Sequence, residues 1–598
     1  MASAESRPLY MEFDGSAQLG IFHPPAAGQR RRPVLMVPPW GWEEVASYRA
    51  RRDWALQLAE VGHPTLRFSL PGTGNSSGTP ADADLLNAWV GGVGVAAGRL
   101  SELCAGEKVA AVGLGLGGLL VLAAVADSPI EEAALWGSPK DGSAYVREVR
   151  AFSRLEQLPD TGEGIPDGWL EAGGFVLASE TIAALRHLSA AVPEGSLRRT
   201  LLLGRNTKPP EKLEEALRAA AAEVSVDDGE GWQNFVESPE TAEFPDAVAS
   251  RFEQWLRDGE GPSASGGAVT LSEPEVASAR MTVDGTQIRE EARFLEAGWG
   301  RAFVIISAPV EAGAAGPAAI FLNAGAVNTP GPNRMWVEIS RAAAKAGTSA
   351  VRVDLQGIGE ADGEDAGVLQ AVELNRSRYG DQVRALVREL PRLIGADEFV
   401  TIGLCAGGRN AFQSAFEPGV VEVIMLNGSA IRWSDDLRTR REEAELNQSL
   451  RRRPLKKLLR GEIPPARLLP FLRSLSAMLV RRSVAALRRL WSRREPTYDE
   501  LVEADLERAA AAGTRLLLAF SGDEGLHREL VRSGIAAKIL ATDGFTITEL
   551  PGRDHTLRPA SSQAVLRDLV LDQLRERTAE AAATVDQDVP AHSATGGR

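Results

Sequence analysis

The chain has 598 residues, with 66 Lys and Arg against 81 Asp and Glu, a formal net charge of −15 and a sequence pI near 5.2. That length exceeds what one hydrophobic core usually supports, so two or more domains are expected, and the acidic balance argues against nucleic acid as a partner. Two cysteines, Cys104 and Cys405, stand about 300 residues apart and indicate neither a disulfide framework nor a Cys-based zinc site; no metal and no other cofactor is expected, and a reducing cytoplasm fits best.

The amino terminus lacks an apolar core and no 18-residue apolar run follows, so a soluble protein without a transmembrane segment is expected. Pro8–Phe13, Leu19–His23 and Pro33–Pro38 read as strands, the last opening into Pro39-Trp40-Gly41-Trp42-Glu43. A helix over 46–61 leads to the strand Thr65–Phe68 and a glycine turn, Gly72 to Gly78. Lys108-Val-Ala-Ala-Val-Gly113-Leu-Gly115-Leu-Gly-Gly118 supplies a further strand and turn, with Cys104 packed in the helix before it. Residues 144–192 read as a small helical cap, followed by the strand Thr200–Gly204 and a closing helix that ends near Asp258. Strands alternating with helices imply a parallel sheet covered on both faces.

Residues 259–273, rich in Gly, Ser and Pro, read as a linker between a first domain over 1–258 and a second over 274–576. The second half repeats the plan of the first. Gly357 to Gly363 follows the strand Ser349–Asp354 as Gly72 to Gly78 follows Thr65–Phe68, an offset of 285 residues, and Gly403 lies 290 residues after Gly113. An offset that barely drifts is best explained by a tandem duplication.

The central stretch of the second half is Phe399-Val-Thr-Ile-Gly403-Leu404-Cys405-Ala406-Gly407-Gly408-Arg409, an apolar strand breaking into a glycine turn and a helix. Glycines flanking the apex let strand and helix pack closely, and they push Cys405 out at the sheet edge beside the N–H of Ala406. The bland reading is a buried cysteine in a glycine-rich turn. Later strands, Arg515–Phe520 and Phe545–Leu550, are followed by Ser521-Gly522-Asp523-Glu524 and Asp554-His555-Thr556. This order resembles the α/β-hydrolase superfamily: a loop after an early strand, a glycine turn, a nucleophile elbow, an acid past the penultimate strand and a histidine past the last.

The resemblance implies two α/β-hydrolase-like domains and a catalytic triad Cys405, His555 and Asp523, with Asp554 and Glu524 as competitors for the acid. It implies an oxyanion hole from the N–H groups of Ala406 and Ala326. In the first half Gly115 stands where the nucleophile belongs and Leu201–Leu256 contains no histidine, so that lobe is expected to be a degenerate pseudoenzyme domain. The Gly-x-Cys-x-Gly-Gly elbow is similar to that of dienelactone hydrolases and polyester synthases, and cysteine thioesterase domains are another likeness. A Cys acyl-enzyme is a thioester, open to amines, alcohols, thiols and water. Acyl transfer from a thioester or ester, of the acyltransferase, cyclase or thioesterase type and in specialised metabolism, is the preferred expectation. An ester or lactone hydrolase is the runner-up, and a non-catalytic binding scaffold is the reading of another class.

Arg334 in the oxyanion loop and Arg409 one turn past Cys405 are candidate substrate-binding residues, with structural pairing as the alternative for each. A lid is expected over about 431–505. From Arg432 to Arg494 it carries 16 Arg and 2 Lys against 6 acids, about +12, leaving about −27 for the rest. Leu468, Leu472, Leu475, Leu479, Leu487 and Leu490 keep helical spacing. The sharp reading of that charge is a phosphopantetheine arm, coenzyme A or an acidic carrier protein; the bland one is a solvated face against the acidic body. Residues 577–598 read as a disordered tail.

Overall fold

The computed structural model describes residues 6–26, 30–156, 164–259, 275–311, 316–364, 377–432 and 496–588. The linker and most of the basic lid lie outside these residues. The first lobe carries β1 (Arg7–Phe13), β2 (Ser16–His23), β3 (Val34–Val37), β4 (Thr65–Phe68), β5 (Val109–Leu114), β6 (Ile130–Trp136), β9 (Leu197–Leu203) and β10 (Ala221–Asp227) in one sheet, ordered β1-β2-β4-β3-β5-β6-β9-β10. A separate hairpin, β7 (Leu170–Ala172) and β8 (Phe175–Leu177), sits between two helices, Gly142–Glu156 and Ser179–His187, so the cap expected to be helical contains a hairpin as well. Cys104 is buried just past the end of the helix Leu85–Leu103.

The second lobe contains β11 (Val276–Val283), β12 (Thr286–Ala297), β13 (Gly300–Pro309), β14 (Ala318–Phe321), β15 (Ala350–Asp354), β16 (Phe399–Leu404), β17 (Val420–Leu426), β18 (Arg515–Phe520) and β19 (Phe545–Glu549). Its sheet runs β11-β12-β13-β15-β14-β16-β17-β18-β19. From β13 onward this order repeats that of the first lobe from β2 onward, with the same antiparallel pairing at the start and parallel pairing afterwards. Even the irregularity is shared: β5 shifts register against β6 at Val109/Ala110, and β16 shifts against β17 at Phe399/Val400, again 290 residues apart.

Central strands are apolar throughout, as burial on both faces requires; every residue of β5 and β16 is buried. Helices cover both sides. One core in the second lobe gathers Ile320, Val353, Leu386, Phe412 and Leu518. The other gathers Phe321, Trp336, Ile402, Ile424 and Val570. The last helix, Ala560–Asp588, corrects the expected tail: the chain stays helical twelve residues beyond 576. Arg577 explains why, because it is buried beside Glu422 and pairs with Glu576 and Glu580.

The lobes meet along their antiparallel ends. Leu19 and Ile21 of β2 pack with Ala277, Ala292, Phe303 and Ile305, and Ala17 packs with Ala279, Met281 and Ile288. Around this apolar seam the same polar device occurs twice. Arg49 donates to the carbonyl oxygens of Gly359, Ala361 and Gly363 at 3.1, 3.0 and 2.6 Å. Arg334 donates to those of Gly74, Ser76 and Gly78 at 3.0, 2.8 and 2.9 Å. Both donors and both turns are related by 285 residues, so each lobe satisfies the glycine turn of the other. Arg67 forks onto Glu360 at 2.7 and 2.8 Å, and Arg341 and Arg352 enclose Glu290 at 2.9 and 3.0 Å. These arginines hold both carboxyls well below the usual range, Glu360 at about 2.

Candidate active site

Cys405 stands between β16 and the helix Ala406–Phe412 with φ 57° and ψ −120°. A non-glycine residue with positive φ is strained, and such strain persists only where its surroundings impose it. Here close packing imposes it: a Cβ on Gly403 would lie 2.2 Å from the Gly407 backbone, and one on Gly407 would lie 2.4 Å from the Asn323 carbonyl oxygen. The end of β14 therefore abuts the start of this helix, bringing the 323–327 turn, with Ala326 half-buried, beside the elbow. Ala406 is buried at the first helical position.

His555, past β19, has its imidazole hydrogen-bonded to Glu524, Nδ1 lying 3.0 Å from Glu524 Oε1, with the Cys405 sulfur as its other electrostatic neighbour. The thiol contributes most, the carboxylate next, and together they push His555 up to about 10. The pair thus holds its proton more tightly than an isolated imidazole would.

The carboxylate beside the imidazole is Glu524, one residue past the expected Asp523. Asp523 has φ 69° and is 72 % exposed at its side chain, 3.8 Å from both Arg528 and Arg553. Its left-handed backbone turns it outward, while Glu524, at the start of the helix Gly525–Ser533, is buried and reaches back to the imidazole. Asp554, the other competitor, is taken up by Arg558 at 2.6 Å and by Thr556 at 2.9 Å.

Asn427 and Ser521 complete the support and have no expected role from sequence. Asn427 Nδ2 donates to the His555 carbonyl oxygen at 2.8 Å and to Ser521 Oγ at 3.0 Å, and its Oδ1 accepts from Ser521 N at 2.7 Å. One side chain thereby ties the acid loop to the histidine loop. The place of Asn427 at the end of β17 was the one sequence signal that marked it.

Arg334, expected to face substrate, is buried between the lobes on the Gly74–Gly78 turn. Arg409 lies one turn past Cys405, its amide donating to the Cys405 carbonyl oxygen at 3.4 Å. The first lobe also reaches the site. Glu156 accepts from Arg558 at 2.9 Å and from Gly173 N at 2.6 Å; Glu171 accepts from Ala560 N at 2.7 Å; Gln563 donates to the Gly174 carbonyl oxygen at 2.9 Å. The cap of one lobe thus braces the segment that carries His555 in the other.

The corresponding position in the first lobe keeps the shape and loses the chemistry. Gly115 has φ 53° and ψ −120°, almost the dihedrals of Cys405. A Cβ there would meet Glu43 Oε2 at 3.0 Å and Trp232 at 3.4 Å. Trp232 comes after β10, as His555 comes after β19. Burial pushes the Glu43 carboxyl up to about 7. Among the described residues no group of His, Cys, Asp and Glu is arranged to hold a metal ion, and no helix is long and apolar enough to cross a membrane.

Two sheets of this order, one with a cysteine at the tight turn between central strand and helix, have the topology of the α/β-hydrolase fold. No family model and no curated protein matches the chain. Among solved structures it is similar to Est1E from Butyrivibrio proteoclasticus, at 16 % identity and a TM-score of 0.31, over 42 % of this chain and 98 % of that one. A thioesterase domain from the curacin biosynthetic pathway is 16 % identical with a TM-score of 0.28, over 47 % and 99 % of the two chains. A dienelactone hydrolase from Anabaena variabilis is 11 % identical with a TM-score of 0.31, over 48 % and 98 %.

Proposed function

We infer that the second lobe is an acyl-transfer enzyme that works through a covalent Cys405 thioester. The observation that carries this reading is the thiol held at a strained elbow beside an imidazole that a buried carboxylate orients. His555 takes up the thiol proton and holds it before Sγ attacks the carbonyl carbon of a thioester or ester. The N–H groups of Ala406 and Ala326 receive the tetrahedral oxyanion, each such donor contributing roughly 3 kcal/mol. Collapse expels the thiol or alcohol, which leaves with the proton from His555. His555 then deprotonates the acceptor, which attacks the thioester and releases Cys405. Glu524 fixes the imidazole tautomer and favours its charged form, the role sequence reading gave to Asp523.

Intact mass spectrometry tests this reading. Wild type and Cys405→Ala are exposed to a panel of acyl thioesters, then to amines, alcohols or buffer alone. An adduct confined to wild type and discharged faster by an acceptor than by water is the expected result. Discharge by water alone makes the protein an ester or thioester hydrolase. Equal labelling of Cys405→Ala removes the cysteine mechanism and leaves the scaffold reading.

A further inference from the structure

Behind the nucleophile lies a cleft of about 470 Å³ whose lining includes Arg384, Arg409, Arg432 and Arg508 against Glu417 and Asp505. Both acids are already engaged. Asp505 pairs with Arg432 at 2.8 Å and with Arg508 at 3.7 Å, and Glu417 with Arg388 at 2.8 Å and with Arg384 at 3.6 Å. Arg409 is left over. It is only 4 % exposed, its Nη1 reaches Asn410 Oδ1 at 3.3 Å, and its Nε has no hydrogen-bond partner among the described residues. No carboxylate lies within salt-bridge distance of it among the described residues.

A buried guanidinium without an anion is costly, because water is withdrawn and nothing replaces it. The environment registers that cost: burial, opposed by Tyr498 and aided by Arg432, pushes the Arg409 guanidinium down to about 10. Position adds a second constraint. Arg409 lies one turn into the helix that begins directly after Cys405, about 6 Å further along the chain's helical axis. A group bound at Arg409 is within reach of a chain attached at Cys405.

We propose that this cleft binds an anionic group, a carboxylate or a phosphate, carried by the acyl substrate. The assignment to the acyl substrate rests on the Cys405 reading above; the anion site itself does not. The guanidinium fork of Arg409 supplies the paired donors that either anion accepts, with Arg432 and Arg508 adding charge at the rim. Phe416, under the Arg508 guanidinium at 4.2 Å, gives the cleft an apolar wall.

The test measures the melting temperature of the full chain carrying Cys405→Ala, titrated with inorganic phosphate or with glutarate at constant ionic strength set by chloride. A saturable rise with one probe is expected: with phosphate it assigns a phosphate ester, with glutarate a carboxylate. Adding Arg409→Gln should weaken the apparent affinity about tenfold or more, as loss of hydrogen bonds to a charged group does. Arg508→Gln, 64 % exposed at its side chain on the rim, should weaken it several-fold and stands in if Arg409→Gln does not fold. No saturable rise with either probe, or an affinity unchanged in the folded variant, overturns the proposal. Anion binding without any acyl adduct on wild type would instead remove the acyl-substrate assignment and keep the site.

Discussion

The two lobes present the same elbow with opposite contents. At Gly115 and Cys405 the backbone takes nearly the same dihedrals, and the strands around each run in the same order. In the first lobe the space above the elbow is filled by Glu43 and Trp232; in the second it is open to a half-exposed thiol and an imidazole. Backbone shape is therefore separable from chemistry. The elbow is maintained by glycines on either side of the apex, whereas the thiol, imidazole and carboxylate of the second lobe come from loops after different strands.

The largest effect is expected from Cys405→Ala, which should lower acyl turnover by at least about 10³-fold and abolish the covalent adduct by mass spectrometry. The double variant that also carries Gly115→Cys should recover nothing, because the restored thiol would face Glu43 and Trp232 in place of an imidazole. Glu524→Gln should reduce kcat by roughly 10²- to 10⁴-fold, as loss of the orienting carboxylate does in a triad. Asp523→Asn should stay within about twofold of wild type in the same assay, and a reversed order would return the acid's role to Asp523.

The raised His555 gives that pair of variants a second readout. Its imidazole should keep its proton through neutral pH and lose it only as pH climbs toward about 10, followed by NMR of the ring nitrogens. Cys405→Ala should drop the titration most and Glu524→Gln less, since the thiol contributes more than the carboxylate.

Between the lobes, Arg67→Leu should destabilise by roughly 3 kcal/mol, because the buried Glu360 would lose its closest cation and keep only Arg52 at 3.8 Å and the Tyr48 hydroxyl at 2.7 Å. Denaturant titration at pH 7 measures it. Glu360 is held at about 2, below its usual value of 4.5, so its stabilisation is fully present above pH 4.5 and is lost as pH falls toward 2. Smallest among the activity losses, Glu156→Gln should lower kcat about tenfold with KM little changed, because it loosens the brace on the His555 segment; kcat equal to wild type would mean that the first lobe does not position the histidine.

The elbow, the strand order and the glycine at the first lobe's apex were legible because each is encoded locally, by glycine spacing, apolar runs and the residue at the apex. The acid was not, since Asp523 and Glu524 are neighbours and the choice depends on a left-handed backbone at Asp523 that turns its side chain away. Arg334 misled for a different reason: its partners lie about 260 residues earlier, at Gly74 and Ser76. The helix continuing to Asp588 was hidden by an alanine- and acid-rich composition, which reads as disorder until buried Arg577 anchors it against Glu422. Most of the basic lid, where the charge asymmetry of the sequence is greatest, falls outside the described residues.

Arg49 on the 359–363 turn and Arg334 on the 74–78 turn form one contact written twice, as two copies of a protein would around a rotation axis. In an assembly of identical subunits any substitution enters every copy at once, so a site cannot be given up in one without being lost in all. Carried on a single polypeptide, the two halves are free to differ. A glycine can close one pocket and a cysteine can react in the other, while the shared seam keeps the closed half in place as part of the working one.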